Sequence, residues 1–147
     1  MKTRKSWREK LDNPNLPKVE TIPPGMRKQL GTGTLLVPSP RDVDAMIRTV
    51  RKGGLITVAR LRQDLAKKFG ADVTCPLTTG IFVRIAAEAA EEDAREGKKR
   101  ITPYWRVIKD DGSLNPKFPG GVEAQAERLR DEGHSIDSSS KIPRVAV

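Results

Sequence analysis

The sequence is short of cysteine, histidine and aromatic residues: it holds one Cys, one His and 4% Phe, Trp and Tyr. A single cysteine cannot close an intramolecular disulfide, which fits a reducing cytoplasm. A structural zinc site takes about four Cys or His ligands, and Cys75 with His134 makes two. Any Ser-His-Asp triad would depend on His134, whose neighbours Gly133 and Ser135 mark a polar, solvent-facing stretch. No metal and no cofactor are therefore expected. Long apolar runs are also missing; none approaches the roughly 20 residues of a membrane span. The basic start Met1-Lys2-Thr3-Arg4-Lys5 is followed by no apolar stretch, so no secretory leader is expected. The expectation is a cytoplasmic protein without membrane contact, nucleoid-associated if prokaryotic.

What is abundant is positive charge. Lys and Arg number 28 against 19 Asp and Glu, a formal net charge of +9 with a sequence pI near 10.0. That balance favours polyanionic partners, nucleic acid first. Hydrophobic residues make up 36% of the 147 positions and charged residues 32%, so one modest core with solvated ends is expected. More than half of the net charge falls in the first 40 residues, which also carry Pro14, Pro17, Pro23, Pro24, Pro38 and Pro40. The expected organisation is a basic, Pro-rich arm over residues 1–39, a domain over 40–133 and a flexible tail over 134–147. Within the arm a short helix is expected near residues 6–11 and a turn of helix after Pro24. Trp7, Leu11, Ile22, Met26 and Leu30 are the apolar residues that would dock it onto the domain.

The middle of the chain has helical periodicity. Ser39 is a suitable N-cap, Pro40 suits the first helical position, and Val43, Met46, Ile47 and Val50 share a face up to Gly53-Gly54. Thr57 can cap a second helix with Val58, Leu61, Leu65 and Phe69, closed by Gly70. Thr78 or Thr79 can start a third, with Ile81, Phe82, Ile85, Ala86 and Ala89 buried and Gly97 as its stop. The segment Ile101-Thr102-Pro103-Tyr104-Trp105-Arg106-Val107-Ile108 is β-prone and cut by the turn Asp110-Asp111-Gly112-Ser113. Gly120-Gly121 opens a last helix with Val122, Ala126 and Leu129 on one face. The pattern predicts a mainly α fold, a helix-turn-helix of winged-helix-like type with a small β element.

Pro103-Tyr104-Trp105-Arg106-Val107, the turn through Gly112-Ser113-Leu114, and Gly120-Gly121-Val122 together resemble the active-site segment of the alkylguanine-DNA alkyltransferases. Those proteins carry Pro-Cys-His-Arg-Val, a turn with Gly, then Gly-Gly-Leu. The resemblance covers roughly residues 40–133, and the large N-terminal domain of many members is not matched. Tyr104 stands at the family's nucleophilic Cys, Trp105 at its His, and Ala126 near the Glu that orients that His. Alkyl transfer needs a soft thiolate beside a base, and a phenol with pKa about 10 cannot replace it. The resemblance thus implies a protein without alkyl-transfer activity, closest in kind to the alkyltransferase-like proteins, which bind alkylated DNA without repairing it. Gly80 stands at the family's arginine finger, with Arg84 one turn on, and Val58 at its phosphate-rotating Tyr.

The resemblance implies double-stranded DNA as the partner, contacted in the minor groove through Thr78, Thr79, Gly80 and Arg84. Arg95, Lys98, Lys99, Arg100, Arg106 and Lys109 form a basic stretch able to track phosphates. Val58, Tyr104, Trp105 and Phe118 are candidates for a base pocket; Tyr104 and Trp105 equally fit as fillers of the space left by the lost active site. Glu88, Glu91, Glu92, Asp93 and Glu96 are read as a solvated face that would repel DNA from that end of the helix. The leading expectation is a non-enzymatic DNA-binding protein, directed at alkylated or damaged bases and working beside a DNA-repair partner. The alternative is a protein-interaction adaptor that keeps the fold. A third reading places a relocated nucleophile at Cys75, next to Pro76 at a helix start.

Overall fold

The computed structural model describes residues 5–146; residues 1–4, where the expected arm begins, and Val147 lie outside it. Local capping sets most helix starts. Ser39 accepts a hydrogen bond from the Asp42 N–H, and the Asp42 carboxylate accepts from Ser39 N, so α3 runs Pro40–Arg48 with Pro40 at its first position. It stops before the expected Gly53-Gly54. Thr57 accepts from Arg60 N and opens α4, Val58–Phe69, and Gly70 closes it in the left-handed region at φ +67°. α5, Pro76–Arg95, begins two to three residues ahead of the expected Thr78 or Thr79, because Pro76 takes the first helical position after Cys75. α6 spans Gly121–Asp131 as expected. Two short helices precede these, α1 at Trp7–Lys10 and α2 at Arg27–Leu30, the latter entered through a 3₁₀ turn at Pro24–Met26.

The fold is helix-rich with small sheets. β1 (Lys18–Thr21) pairs antiparallel with β2 (Thr34–Val37), which pairs parallel with β4 (Val73–Thr74). This corrects the expected boundary at residue 39. Leu35 and Leu36 are 2% and 0% exposed and cannot belong to a solvated arm. The second sheet joins β3 (Ile56–Thr57) to β5 (Val107–Ile108) in parallel. The β-prone stretch yields only that short strand, because Tyr104–Arg106 coils into a 3₁₀ turn. The tail is also more ordered than expected. β6 (Ile136–Asp137) and β7 (Arg144–Val145) form a hairpin, and Arg144 bridges to Ser113.

One core joins α3, α4, α5 and α6 around Val43, Ile47, Leu61, Leu65, Val83, Ala86, Ala87, Leu114 and Leu129, with Tyr104 among them. A satellite core of Ile22, Leu35, Val37 and Cys75 lies under the first sheet. Burying each larger aliphatic side chain contributes about 1.5–3 kcal/mol. The buried stripe of α5 is Thr79, Phe82, Val83, Ala86, Ala87 and Ala90, spaced i, i+3, i+4, i+7. Ile81, expected inside, is 49% exposed, and Ile85 is half-buried. The small Ala residues let α3 and α1 pack closely on α5.

Candidate nucleic-acid interface

The face of α5 that leaves the core carries a second apolar row, Leu77, Ile81 and Ile85, one helical turn apart. Leu77 is 72% exposed and is among the few large apolar side chains that face solvent. These residues floor an open groove of about 700 Å³ together with Val58, Pro76, Pro116 and Trp7. Lys10, Arg84, Lys109 and Lys117 also line it, and among the described residues no carboxylate does. Gly80 lies between the two exposed apolar residues, and a methyl group there would meet nothing within 4 Å. A long ligand can therefore approach the helix backbone closely. The groove combines cations at its rim, an apolar floor, and the first turns of a helix, where unpaired N–H groups favour negative charge.

Trp7 reaches this groove because the acidic half of α5 holds α1 in place. The Glu92 carboxylate accepts hydrogen bonds from the backbone N–H groups of Trp7 (3.0 Å) and Arg8 (2.9 Å), satisfying donors that a helix start leaves open. Arg8 pairs with Asp93 at 2.9 Å and with Glu96. The Lys10 ammonium lies 4.0 Å from the Trp7 ring centroid, and the Arg84 guanidinium 5.8 Å. The acidic run is thus a docking surface for the N-terminal helix, rather than only the solvated face expected of it.

Tyr104 and Trp105 belong to the interior. They are 2% and 8% exposed. The Tyr104 ring meets Trp105 and Phe118 edge-on, each at 5.3 Å between centroids. Its hydroxyl donates to Glu91 at 2.6 Å, and Arg128 donates to the same oxygen at 2.8 Å. Burial first, then the Glu91 hydrogen bond, pushes the phenol well above its ordinary range. The Arg128 guanidinium lies 4.3 Å from the Trp105 centroid. Trp105 Nε1–H is buried with no well-aligned acceptor, although Glu132 lies near enough to feel it. The four candidates for a base pocket therefore separate. Val58 and Phe118 border a cavity of about 40 Å³, far too small for a nucleobase, and Tyr104 and Trp105 do not line it. Of the two readings of the paired rings, burial favours the filler for Tyr104, while an edge of Trp105 lines a separate, basic basin.

Three polar clips, which no local pattern of residues announces, fix this segment. Gln125, 1% exposed, donates from Nε2 to the carbonyls of Trp105 (3.1 Å) and Val107 (3.0 Å) and accepts from Asn115 N–H at 2.8 Å. Asp44, 6% exposed, accepts from Thr102 Oγ1 and from Arg48 Nε at 3.0 Å. Arg106 grips Glu132 with two parallel hydrogen bonds of 2.9 and 2.7 Å and donates to the Val50 carbonyl. Burial, the largest single influence, works against the Glu132 charge, but the hydrogen bonds from Arg106 and Trp105, the Arg106 charge and the Gly53 N–H together outweigh it and hold the carboxyl below its usual range.

The expected DNA-contacting residues divide into three groups. Gly80 and Arg84 line the groove, and Thr78 lies half-buried beside them. Thr79 is fully buried, its hydroxyl donating to the Cys75 carbonyl at 2.7 Å, so it is helix structure rather than contact surface. Lys99, Arg100 and Arg106 lie at the other end of α5, in a basin of about 530 Å³ that shares no lining residue with the groove. A 20-residue helix is about 30 Å long. Cys75 is 7% exposed and packed in the satellite core. Sequence reasoning missed Trp7, Lys10, Leu77, Ile81 and Lys117 as neighbours; the one available signal was the i, i+4, i+8 spacing of Leu77, Ile81 and Ile85 beside the core stripe. Among the described residues no group of acidic, Cys and His side chains could hold a metal ion, and no helix is long and apolar enough to cross a membrane. The chain matches no protein-family model, no curated protein and no solved structure.

Proposed function

We propose that this protein binds double-stranded DNA without acting on it chemically, laying the N-terminal half of α5 in the minor groove. In this reading α4, the β4 turn and α5 are a winged-helix-like helix-turn-helix with α5 as the recognition helix. The carrying observation is the groove along Leu77, Gly80, Ile81 and Arg84, lined by four cations and, among the described residues, no carboxylate. Small and apolar residues on a close-approaching helix suit a narrow minor groove, and the cations suit its flanking phosphates. The resemblance of residues 103–122 to the alkyltransferases supports the same partner. An absence of alkyl transfer follows from chemistry: the Tyr104 phenol is buried and held protonated, and Cys75 is enclosed. Altered bases remain the targets that the alkyltransferase-like relation suggests, and the groove, rather than Tyr104 and Trp105, is where they would be met. A reducing cytoplasm and a DNA-repair partner complete the reading.

The test is a fluorescence-anisotropy titration with a short duplex across a range of salt. Lys10, Arg84, Lys109 and Lys117 supply up to four phosphate contacts, so the slope of log K against log salt should be about −3 to −4. Lys109→Ala with Lys117→Ala should reduce its magnitude by about 2. Intact-mass measurement after incubation with alkylguanine DNA should show no added alkyl group. No binding at low salt would transfer the groove to a protein partner, the adaptor reading that exposed Leu77 and Ile81 would also serve.

A further inference from the structure

We propose that the basin at the C-terminal end of α5 is a second site for a DNA backbone, so that one chain holds two DNA segments and bridges them. The inference rests on DNA binding at the groove described above. The basin is lined by Arg48, Lys98, Lys99, Arg100, Arg106 and Arg128 with Ile101, Pro103 and Trp105 between them, and among the described residues no carboxylate lines it. Carboxylates stand behind four of these cations instead. Asp44 holds Arg48, Asp93 holds Lys98, Glu132 holds Arg106 and Glu91 holds Arg128, at 2.7–3.2 Å. Each of those carboxylate side chains is at most 20% exposed, whereas the Arg48, Lys98 and Arg128 side chains are 45%, 51% and 35% exposed. The acids therefore fix three partly exposed cations, Arg48, Lys98 and Arg128, while presenting little negative charge themselves; Arg106, 12% exposed, is mostly enclosed. Such fixed geometry lowers the side-chain ordering that binding would otherwise cost. Lys99 and Arg100 are exposed and have no carboxylate partner among the described residues, so the cluster keeps net positive charge.

The cations come from α3, the link after α5, the 3₁₀ turn and α6. That spread suits repeated phosphates better than a single anion. Between basin and groove, α5 carries Glu88 and Glu92, neither of them ion-paired among the described residues, and they oppose one backbone running straight from one to the other. Two separate segments avoid them.

The experiment uses a hairpin duplex of about 8 base pairs, about 27 Å long and a little shorter than the roughly 30 Å of α5. Stoichiometry is read by titrating the full chain at about 50 mM salt, where phosphate contacts are strong. Bridging is read as capture of a fluorescent duplex by bead-bound duplex. Two hairpins per chain and efficient capture are expected. Lys99→Glu with Arg100→Glu should leave one hairpin per chain, weaken the second site at least about tenfold, and abolish capture; Lys99→Ala with Arg100→Ala should do so in part. Lys109→Glu with Lys117→Glu should remove the other hairpin. One hairpin per chain in the unaltered protein, lost on changing Lys109 and Lys117, overturns bridging and leaves the groove reading standing. Capture that survives the Lys99 and Arg100 changes also overturns it. No hairpin bound at all overturns both readings.

Discussion

At the N-terminal half of α5, the side chains that leave the core meet open space: Leu77 and Ile81 are exposed, and Arg84 meets only the Trp7 ring. Toward the C-terminal end, most of the acidic side chains have a partner within the protein. Glu91 takes Tyr104 and Arg128, Glu92 takes the α1 backbone, and Asp93 and Glu96 take Arg8. The same helix thus has one end whose polar chemistry is consumed in holding the fold and another whose apolar and cationic groups are left for a partner. Composition would have suggested the reverse, since the acidic run looks solvated and the isoleucines look like core.

The contrast can be broken most forcefully at Trp105. Trp105→Ala should cost about 3–5 kcal/mol, the range for truncating a buried aromatic, and lower the melting temperature by roughly 10 °C. Affinity of the folded protein for duplex at the groove, which Trp105 does not line, should stay unchanged. An intact melting temperature with lost affinity would mean that the ring faces a ligand after all.

Next comes the Arg106–Glu132 pair. Arg106→Ala leaves the Glu132 carboxylate, whose side chain is 8% exposed, without its partner, at a cost of about 3 kcal/mol. Because the Glu132 carboxyl is held below its usual range, its contribution is present above the unfolded value of about 4.3 and is lost as pH falls through the lower folded value. Denaturant melts should therefore show the unaltered protein losing stability below about pH 4, and the variant losing less of it there.

A smaller effect is expected where α1 docks. Glu92→Gln replaces a charged acceptor for two backbone N–H groups with a neutral one and should cost about 1 kcal/mol. Limited trypsin cleavage at Lys5, Arg8 and Lys10 should accelerate while the rest of the fold persists. Leu77→Ser should have the smallest effect on folding, within about 0.5 kcal/mol, since the side chain is exposed. Duplex affinity should nonetheless fall; if it holds, the apolar row is not a contact surface.

The parts of the fold that were legible are those specified within a few residues. Ser39 with Pro40, Thr57 with Gly70, and Gly120-Gly121 each mark a helix limit by a hydrogen bond or a backbone conformation close at hand. α5 was placed late because Cys75 offers no side-chain cap, and the polar Thr78 and Thr79 resemble one. β1 and β2 are not marked by local pattern because each is made a strand by a partner outside its own segment: β1 by β2, and β2 also by Val73–Thr74, joined to Leu35 and Leu36. For the site, Gly80 and Arg84 were reached from the sequence. Trp7, Lys10, Lys109 and Lys117 were not grouped with them, because they come from three distant segments.

The sequence by itself determined the excess of positive charge, the shortage of metal and thiol ligands, and the helices from Pro40 to Asp131, since composition and capping act locally. Tertiary structure alone decided which face of α5 is buried. It also decided that Tyr104 and Trp105 turn inward onto Glu91 and Arg128, and that the cations gather at two ends of one helix. Those outcomes depend on which distant carboxylate reaches which cation and which apolar row finds a neighbour to exclude water. Both are properties of chain packing that no local pattern of residues contains.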